Sequence, residues 1–456
     1  MLTPLIPLPV ETTLPALPAC LDPFVVLEAA RGDLRRVDEE ARARWREARM
    51  IEAIYHPSRY LRIVYAMLDD PGMPAGRVWP EGQLLYLHAP VRRPMSRRGE
   101  VVRVGGHPVE AYCFPNDRRL RGLRTFARKD LATAAWQAWA QQGGDAARMD
   151  EASLQRLLVR YVPEQKWVVR LRAEWSAGAN GTPVKRRIAV RSALPASCRR
   201  LLARHQALTE QMARNPSGFA VPAIIGGDVD RGLIAFEWLR GNTLVEELRH
   251  RDEGEVMTAV VRAVRGFHTV RVPGLPHVSS ADARAHAAHA VTDLETACPD
   301  LQEPLNLIRR QLAAGLRGDE ENGEAVTLHN DLHWNQFSIK GGRLAILDLE
   351  RMARGDATVD VANFATQLQM LGCRPEIDAD PETADRWRRI FLTCWMEGSR
   401  RPLNPTRFHA LAARSRLDLA RGMLRHLRPD WRAVVEECVT GALGDLTRID
   451  SGEGVL

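Results

Sequence analysis

The sequence lacks the features that define several large protein classes. No apolar run approaches the ~18 residues that a membrane-spanning helix needs. The proline-rich start, MLTPLIPLPVETTLPALP, has no basic region of the kind that opens a signal peptide. The seven cysteines are scattered and form no CxxC pair, which argues against a disulfide framework or a zinc ribbon. The sequence therefore predicts a cytoplasmic protein with no membrane partner.

Motifs of several common enzyme classes are also missing. No lysine follows a glycine, so the chain has no Walker A loop. It contains no GxGxxG, GxSxG or HExxH pattern either. These absences argue against P-loop NTPases, Rossmann dehydrogenases, α/β-hydrolases and zincins.

Lysine is scarce. The chain has four lysines among its 64 basic residues, arginine supplies the rest, and 57 acidic residues leave a net charge of +7. This balance leaves open a nucleic-acid binder, whose affinity would fall steeply with salt. However, no basic run is interleaved with aromatic residues in the manner of a single-strand-binding groove. We therefore expect a compositional bias and no nucleic-acid partner.

Length and pattern divide the chain into three regions. Its 456 residues, 45% of them hydrophobic, suit a large globular core of about three domains or fewer. We predict an N-terminal α+β cap domain over residues 1–150, a β-rich region over 151–240 and a helical region over 241–456. The cap is expected to contain a charged helix over 33–55, a helix at 130–141 ended by Gly143-Gly144, and strands at 59–68, 83–90, 100–104 and 108–114.

The β-rich region shows a weak internal repeat. Strands are predicted at 157–163, 166–175 and 184–192, then a helix from Cys198, then strands near 219–225 and 233–239. YVPEQKWVVRL (161–171) aligns without a gap with YHPSRYLRIVY (55–65). The match predicts either a duplicated β unit or two hairpins with similar turn chemistry.

Residues 328–350, LHNDLHWNQFSIKGGRLAILDLE, combine a hairpin with chemically useful side chains. Two short apolar strands flank Gly341-Gly342, which predicts a hairpin with a two-residue loop. If Lys340 pairs with Arg343, the opposed pairs are Ile339 with Leu344, Phe337 with Ile346, and Asn335 with Asp348. The hairpin would thus bring Asn335 and Gln336 beside Asp348, near the loop that holds His329 and Asp331.

These residue types suit phosphoryl transfer. A loop aspartate such as Asp331 can accept a proton from a hydroxyl, while an amide oxygen and a carboxylate can jointly hold Mg²⁺ on nucleotide phosphates. The register alone favours Asn335 as the amide beside Asp348. A bulge in the strand would place Gln336 there instead, so both amides stay open.

HNDLHWNQ, followed by ILDLE and GDATVDVANF, resembles the aminoglycoside-phosphotransferase-like kinases, a family with choline-kinase and maltokinase members. The resemblance covers about residues 155–440 and is most specific at 329–364. It implies an α+β, protein-kinase-like fold with a β-rich lobe and a helical lobe, here with the extra cap. It also implies an ATP-dependent enzyme that moves the γ-phosphate of MgATP to a hydroxyl of a small molecule, such as a sugar, an aminoglycoside or an amino-alcohol.

The resemblance assigns roles within this motif. Asp331 is expected to be the catalytic base, His329 an anchor of its loop, and Asp348 a Mg²⁺ ligand. Most members have asparagine where this chain has Gln336, but maltokinases resemble it in having glutamine. Gln336 is therefore the expected second ligand, with Asn335 as the alternative.

Upstream, IAVRS resembles the kinase VAIK strand, with Arg191 in place of lysine. Arginine keeps the charge but not the geometry of lysine. Lys185 shares a strand face with Arg191 but lies about 20 Å away at ~3.3 Å per residue, too far to replace it. Glu210, the one acidic residue of the following helix, is the expected partner of Arg191.

The resemblance also implies two nucleotide contacts outside the strand that carries Arg191. LIAFEWLRGNTLVEEL resembles the kinase hinge, whose backbone around Glu237, Trp238 and Leu239 is expected to meet adenine. The turn from Pro163 to Lys166 takes the place of a glycine-rich loop. Because it has no glycine, Lys166 is expected to contact phosphate instead.

Alternatives remain for the whole protein and for single residues. Arg191, Gln336 and the turn without glycine favour a pseudokinase, a nucleotide-binding regulatory module without efficient transfer. His333 could join His329 and Asp331 in a transition-metal site. Asp356 and Asp360 are expected to cap a helix. The acidic run 376–385 is expected to form a solvated loop and a helix start, although it could instead attract a cationic substrate. Three tryptophans are expected to pack in a helical core rather than line a sugar pocket, namely Trp387, Trp395 and Trp431.

Overall fold

The structure is a computed structural model that describes residues 6–10, 12–72, 84–90, 99–144, 147–176, 182–214, 218–317, 324–374, 377–399 and 402–456. Helices and antiparallel sheets are mixed, which confirms the predicted α+β class. Within these ranges no helix is long and apolar enough to cross a membrane.

The chain forms two compact units. The first comprises Met1–Arg200, Ala223–Trp238 and Arg425–Leu427, and the second comprises Leu201–Pro222, Leu239–Leu424 and Arg428–Leu456. The boundary after Trp238 falls within the segment predicted to be a hinge. The division into a cap, a β-rich domain and a helical domain stays a prediction.

The first unit opens with three short helices and a five-stranded antiparallel sheet of order β1-β2-β3-β5-β4. The helices are α1 (Leu17–Leu21), α2 (Pro23–Asp33) and α3 (Glu39–Arg44), and the strands are β1 (Glu47–His56), β2 (Tyr60–Leu68), β3 (Leu84–Pro90), β4 (Glu100–Val104) and β5 (His107–Cys113). The four strands predicted after residue 58 are confirmed. The helix predicted over 33–55 is confirmed only at Asp33 and over α3; residues 34–38 are not helical, and residues 47–56 pair with β2, with a bulge at Ile51. Sheet pairing here overrides the helix propensity of the local sequence.

A second sheet in the same unit has the order β10-β11-β9-β8-β6, with β7 also paired to β8. Its strands are β6 (Arg148–Met149), β7 (Gln155–Val162), β8 (Lys166–Ser176), β9 (Val184–Ala193), β10 (Ile224–Asp228) and β11 (Leu233–Glu237). These confirm the predicted strands, except that β10 begins five residues later than expected. The connection between β8 and β9 falls largely on residues 177–181, outside the described residues.

Strict alternation on β8 builds the core of this unit. Trp167, Val169, Leu171 and Trp175 are buried, while the side chains between them are partly exposed. Helices α4 (Leu123–Ala127) and α5 (Lys129–Gln142) contribute Trp136 and other apolar side chains to the same core. The predicted helix at 130–141 is therefore confirmed, and its core-facing residues explain why it forms.

The weak repeat in the sequence corresponds to two hairpins of equal turn geometry. Tyr55 pairs with Leu61 in the first hairpin, and Tyr161 pairs with Trp167 in the second. The matching turn residues, Ser58 and Glu164, both have a left-handed backbone, with φ of 54° and 63°. Similar turn chemistry is thus confirmed, while a duplication stays a hypothesis.

The second unit is mainly helical. Its helices are α6 (Pro195–Arg214, which starts in the first unit), α7 (Leu244–His250), α8 (Glu253–Thr269), α9 (Ser280–Ala297), α10 (Gln302–Gly315), α11 (Thr358–Gln369), α12 (Pro381–Glu397), α13 (Pro405–His426) and α14 (Trp431–Ser451). Two small sheets pair β12 (Val326–Leu328) with β15 (Ala353–Gly355), and β13 (Phe337–Lys340) with β14 (Arg343–Ile346). Trp387, Trp395 and Trp431 are buried in this helical core, as predicted. The acidic run leads into α12, which Asp380 caps through the N–H of Thr383.

Candidate active site

The hairpin forms with the predicted register. Phe337 pairs with Ile346, Ile339 with Leu344 and Lys340 with Arg343. Gly341 and Gly342 have φ of 55° and 76°, the left-handed pair that a two-residue hairpin loop requires. The ladder ends at Phe337, so the predicted pairing of Asn335 with Asp348 does not form. Residues Trp334–Gln336 instead make a 3₁₀ turn, and the N–H of Leu347 donates to the carbonyl of Gln336 at 2.8 Å.

This 3₁₀ turn distinguishes the two candidate amides. Gln336 is buried and Asn335 is exposed. The His333 ring accepts the backbone N–H of Asn335 at 3.2 Å, and its Nε2 lies 2.9 Å from the amide nitrogen of Gln336. Because Nδ1 accepts, Nε2 of the neutral ring carries the proton, and the side-chain amide of Gln336 satisfies it through its oxygen, which keeps a second lone pair. The choice of Gln336 over Asn335 as the second ligand stays a prediction.

Asp348 stands two residues beyond the end of β14 in a rare backbone conformation. Its φ of 51° and ψ of 60° are left-handed, which few residues other than glycine adopt without surrounding support. Part of that support comes from α6, where Arg204 donates to the carbonyls of Glu350 and Met352 at 3.3 and 3.4 Å. Such local strain, held by long-range contacts, is typical of functional positions.

A close approach at Gly241 positions the hairpin. Asn242 and Ile339 exchange backbone hydrogen bonds of 2.8 and 2.9 Å. A Cβ at Gly241 would lie 2.5 Å from Ser338 Oγ and 2.7 Å from the carbonyl oxygen of Ile339.

We expect Gly241→Ala to destabilise the protein by about 1–3 kcal/mol through overcrowding, measured by urea unfolding. Gly444→Ala is the control, because its Cβ meets nothing within 4 Å, and equal losses in both variants would contradict the argument.

Asp331 lies in the loop between β12 and the 3₁₀ turn, with its side chain two-fifths exposed. Arg351 Nε lies 3.7 Å from Asp331 Oδ2. This contact places a positive charge beside the carboxylate that the sequence assigns as the proton acceptor. Sequence reasoning missed Arg351, although it follows Asp348 by only three residues.

Asp360 fixes the backbone of the same loop. Its fully buried carboxylate accepts the N–H groups of His329 and Asn330, each at 2.8 Å, and lies 3.0 Å from His268 Nε2. Burial alone would raise the pKa of Asp360, but the hydrogen bond from His268 and the charges of His268 and His329 lower it overall. The prediction that Asp360 caps a helix is therefore wrong. Its partners lie on the loop after β12 and on α8.

His329 anchors the loop from its other side. The ring is fully buried, and its Nε2 donates to the carbonyl of Leu347 at 2.8 Å, next to Asp348. Asn363 Nδ2 also donates to the carbonyl of Leu332, at 2.7 Å. One imidazole thus links the loop of Asp331 to the strand end that carries Asp348. Asp356, in contrast, accepts the backbone N–H and hydroxyl of Thr358 at the start of α11, as predicted for a cap.

The upstream candidates lie on several elements. Arg191 is buried on β9, in register with Val168 and Ile234, and Lys166 begins β8. Lys185 is 3.7 Å from Glu174. The Trp238 N–H donates to the Arg187 carbonyl, and Arg170 lies over the Trp238 ring at 5.1 Å.

The roles assigned to the upstream residues rest on the sequence alone. Leu239 and Glu210 belong to the second unit, where Glu210 is exposed on α6. The pairing of Arg191 with Glu210 and the nucleotide contacts of Glu237, Trp238 and Leu239 stay predictions.

The donor set around Asp348 suits a hard cation. In the described part of the chain, no group of three or more His, Cys, Asp or Glu side chains could hold a metal ion. Mg²⁺ does not require such a group, because it is ordinarily held by one or two protein oxygens together with phosphates and water. The carboxylate of Asp348 and the amide oxygen of Gln336 fit that requirement.

Comparison with known proteins identifies relatives of this arrangement. The model of the APH phosphotransferase enzyme family matches residues 149–402. No curated protein matches the sequence. Among solved structures, a thermostable mutant of aminoglycoside phosphotransferase APH(4)-Ia is 16% identical, with 70% of this chain and 99% of that chain covered and a TM-score of 0.43.

Two further structures come from named organisms. A choline/ethanolamine kinase family protein from Mesorhizobium loti is 14% identical over 70% of this chain and 94% of that chain, with a TM-score of 0.41. Choline kinase from Cryptosporidium parvum is 13% identical over 71% of this chain and 97% of that chain, with a TM-score of 0.48. Since these scores lie below 0.5, the assignment rests on the family model. That model spans more than half of the 456 residues, and the chain therefore belongs to the phosphotransferase enzyme family.

Proposed function

We propose that the protein is an ATP-dependent kinase that phosphorylates a hydroxyl group of a small molecule. The observation that carries this proposal is the joint anchoring of two loops by His329. Its backbone N–H is held by Asp360 beside Asp331, and its ring holds the carbonyl that precedes Asp348. A proton acceptor and a metal-binding carboxylate are thus held in one rigid frame, which positioned phosphoryl transfer requires.

In the proposed reaction, the oxygen of the acceptor hydroxyl bonds to the γ-phosphorus while Asp331 accepts the proton of that hydroxyl. The bond from that phosphorus to the β–γ bridging oxygen breaks, and ADP leaves. Asp348 and Gln336 would hold Mg²⁺, which neutralises phosphate charge when bound. Arg191 and Lys166 would contact phosphate, with Glu210 as the proposed partner of Arg191.

Thermal unfolding with and without MgATP tests this proposal. A ligand at a hundredfold its Kd adds about 2.7 kcal/mol to the free energy of unfolding, which raises the Tm by a few degrees. We expect this increase with MgATP and its loss with chelator present. We expect Gln336→Ala to weaken it and Asn335→Ala, the matched exposed control, to leave it unchanged.

The outcomes separate the alternatives. A Mg-dependent shift followed by phosphate transfer to one of a panel of sugars, aminoglycosides and amino-alcohols supports the kinase. A shift without transfer to any acceptor, and without ATP hydrolysis, favours the pseudokinase alternative. No shift at millimolar MgATP contradicts both. If Asn335→Ala rather than Gln336→Ala abolishes the shift, the assignment of the metal ligand is wrong.

A further inference from the structure

A buried carboxylate occupies the turn that the family resemblance places at the nucleotide phosphates. Glu164, at the tip of the β7–β8 turn, is only 3% exposed. Its carboxylate accepts a hydrogen bond of 2.7 Å from the hydroxyl of Tyr86 on β3 and lies 3.1 Å from Arg62 Nη2 on β2. Arg118 Nη1 lies at 3.9 Å. The side chain of the turn thus points into the five-stranded sheet of its own unit.

The backbone of the turn is held as well. The N–H of Glu164 donates to Asp117 Oδ2 at 2.9 Å, and the hydroxyl of Tyr161 donates to the same oxygen at 2.8 Å. Asp117 is itself fixed, since its other oxygen accepts the N–H groups of Arg119 and Leu120. Both the main chain and the side chain at the tip of this turn are therefore tied to residues before β6.

Two buried carboxylates, those of Glu164 and Glu110, have different partners in this region. Glu164 is paired mainly with Arg62, whereas Glu110 lies 3.4 Å from His88 Nδ1 and accepts the hydroxyl of Tyr112 at 2.8 Å. Burial lowers the pKa of His88. Glu110 lies on β5 in the same buried polar region, and its partner His88 also lies 4.0 Å from Glu164, so Glu110 offers a comparison of equal burial outside the turn.

The first hairpin shows that this anchoring is not required by the turn itself. Ser58 occupies the matching position with the same left-handed backbone and register, yet it is exposed. A short polar residue is therefore sufficient to make the turn. Burying a charged side chain at Glu164 costs desolvation free energy, and this cost is not needed for hairpin geometry.

We propose that Glu164 is a positioning residue for the nucleotide, because it locks the β7–β8 turn so that Lys166 is held in place for phosphate. The inference rests on the proposed kinase function. A phosphate loop ordinarily uses glycines so that its backbone can close on the phosphates. Here the turn contains no glycine, and its contacts with the five-stranded sheet preform it instead. The amino-terminal residues thus take part in nucleotide binding without contacting the nucleotide.

The main test compares Glu164→Gln with Glu110→Gln. Glutamine at 164 can still accept from Tyr86 but loses the charge that pairs with Arg62. We expect KM for ATP to rise roughly tenfold in Glu164→Gln with kcat within about twofold, as misplacement of a binding group produces. Glu110→Gln should lower the Tm without changing KM for ATP. If the two variants raise KM equally, Glu164 is merely structural and the proposal is overturned.

A second experiment introduces Lys166→Met into the wild-type protein and into the Glu164→Gln variant. In the wild-type protein we expect Lys166→Met to raise KM for ATP. In the Glu164→Gln variant the same substitution should raise KM for ATP little further, because the lysine is already displaced. No effect of Lys166→Met in the wild type overturns the inference but leaves the proposed function intact. Absence of MgATP binding by the wild type contradicts the proposed function itself.

Hydrogen exchange gives a readout that does not depend on activity. Amide exchange at residues 163–166 should speed up in Glu164→Gln and stay unchanged in Glu110→Gln. If Glu164→Gln fails to fold, Arg62→Met removes the same ion pair from the neighbouring strand and should reproduce the rise in KM for ATP. Unchanged exchange in a folded Glu164→Gln, or unchanged KM in Arg62→Met, contradicts the proposal.

Discussion

Asp331→Asn should reduce kcat for phosphate transfer by a factor of about 10²–10⁴. The substitution keeps the shape of the side chain and removes its ability to accept the hydroxyl proton. Affinity for MgATP should stay within about twofold, because the proposed metal ligands, Asp348 and Gln336, are untouched. The measurements are steady-state transfer to an identified acceptor and the Tm increase caused by MgATP.

The matched control is Asp356→Asn. Asp356 belongs to the same segment of the second unit, but its carboxylate caps α11 through Thr358. Asparagine caps a helix about as well as aspartate, so the substitution mainly removes the ion pair with Arg407; it should lower stability slightly and leave kcat nearly unchanged. If Asp331→Asn keeps more than a tenth of wild-type kcat, Asp331 is not the base. If it loses MgATP binding together with turnover, the residue serves binding rather than proton transfer.

The parts of the site that depend on neighbours in sequence could be predicted. Hairpin register follows from Gly341-Gly342 and from the alternation of apolar residues, so Phe337 and Ile346 could be paired before the structure was known. The same argument from alternation wrongly paired Asn335 with Asp348. Asn335 lies in a 3₁₀ turn, which the contacts of His333 stabilise, and period-two alternation does not apply there.

The parts that depend on distant residues could not be predicted. Asp360 reaches the N–H of His329, 31 positions away, and Tyr86 reaches Glu164 across 78 positions. Nothing in the local pattern of an aspartate near a helix start distinguishes a cap from a buried loop anchor. The segment over 47–56 failed for the same reason, because β2 provides the pairing that makes it a strand.

The second large effect concerns Asp360. Asp360→Ala should destabilise the second unit by about 3–5 kcal/mol, the cost of removing one partner from a buried charge network. Two loop N–H groups and the ring of His268 would lose their acceptor. Urea unfolding at pH 7 measures the loss. Asp252→Ala, which removes the exposed N-cap of α8, should cost only about 1 kcal/mol, and similar losses would mean that Asp360 is an ordinary cap after all.

The same carboxylate should make stability depend on pH. The pKa of Asp360 is lowered in the folded protein, so between that value and about 3.9, the ordinary aspartate pKa, the unfolded chain binds more protons. Its contribution is therefore fully present above about pH 4 and is lost as the pH falls through the folded pKa. Asp360→Asn cannot ionise and lacks this contribution at every pH. The difference in unfolding free energy between wild type and Asp360→Asn should be largest at pH 6–7 and shrink below about pH 4. A difference that stays constant from pH 7 to pH 3 would show that the ionised form of Asp360 does not hold the loop of His329 and Asn330.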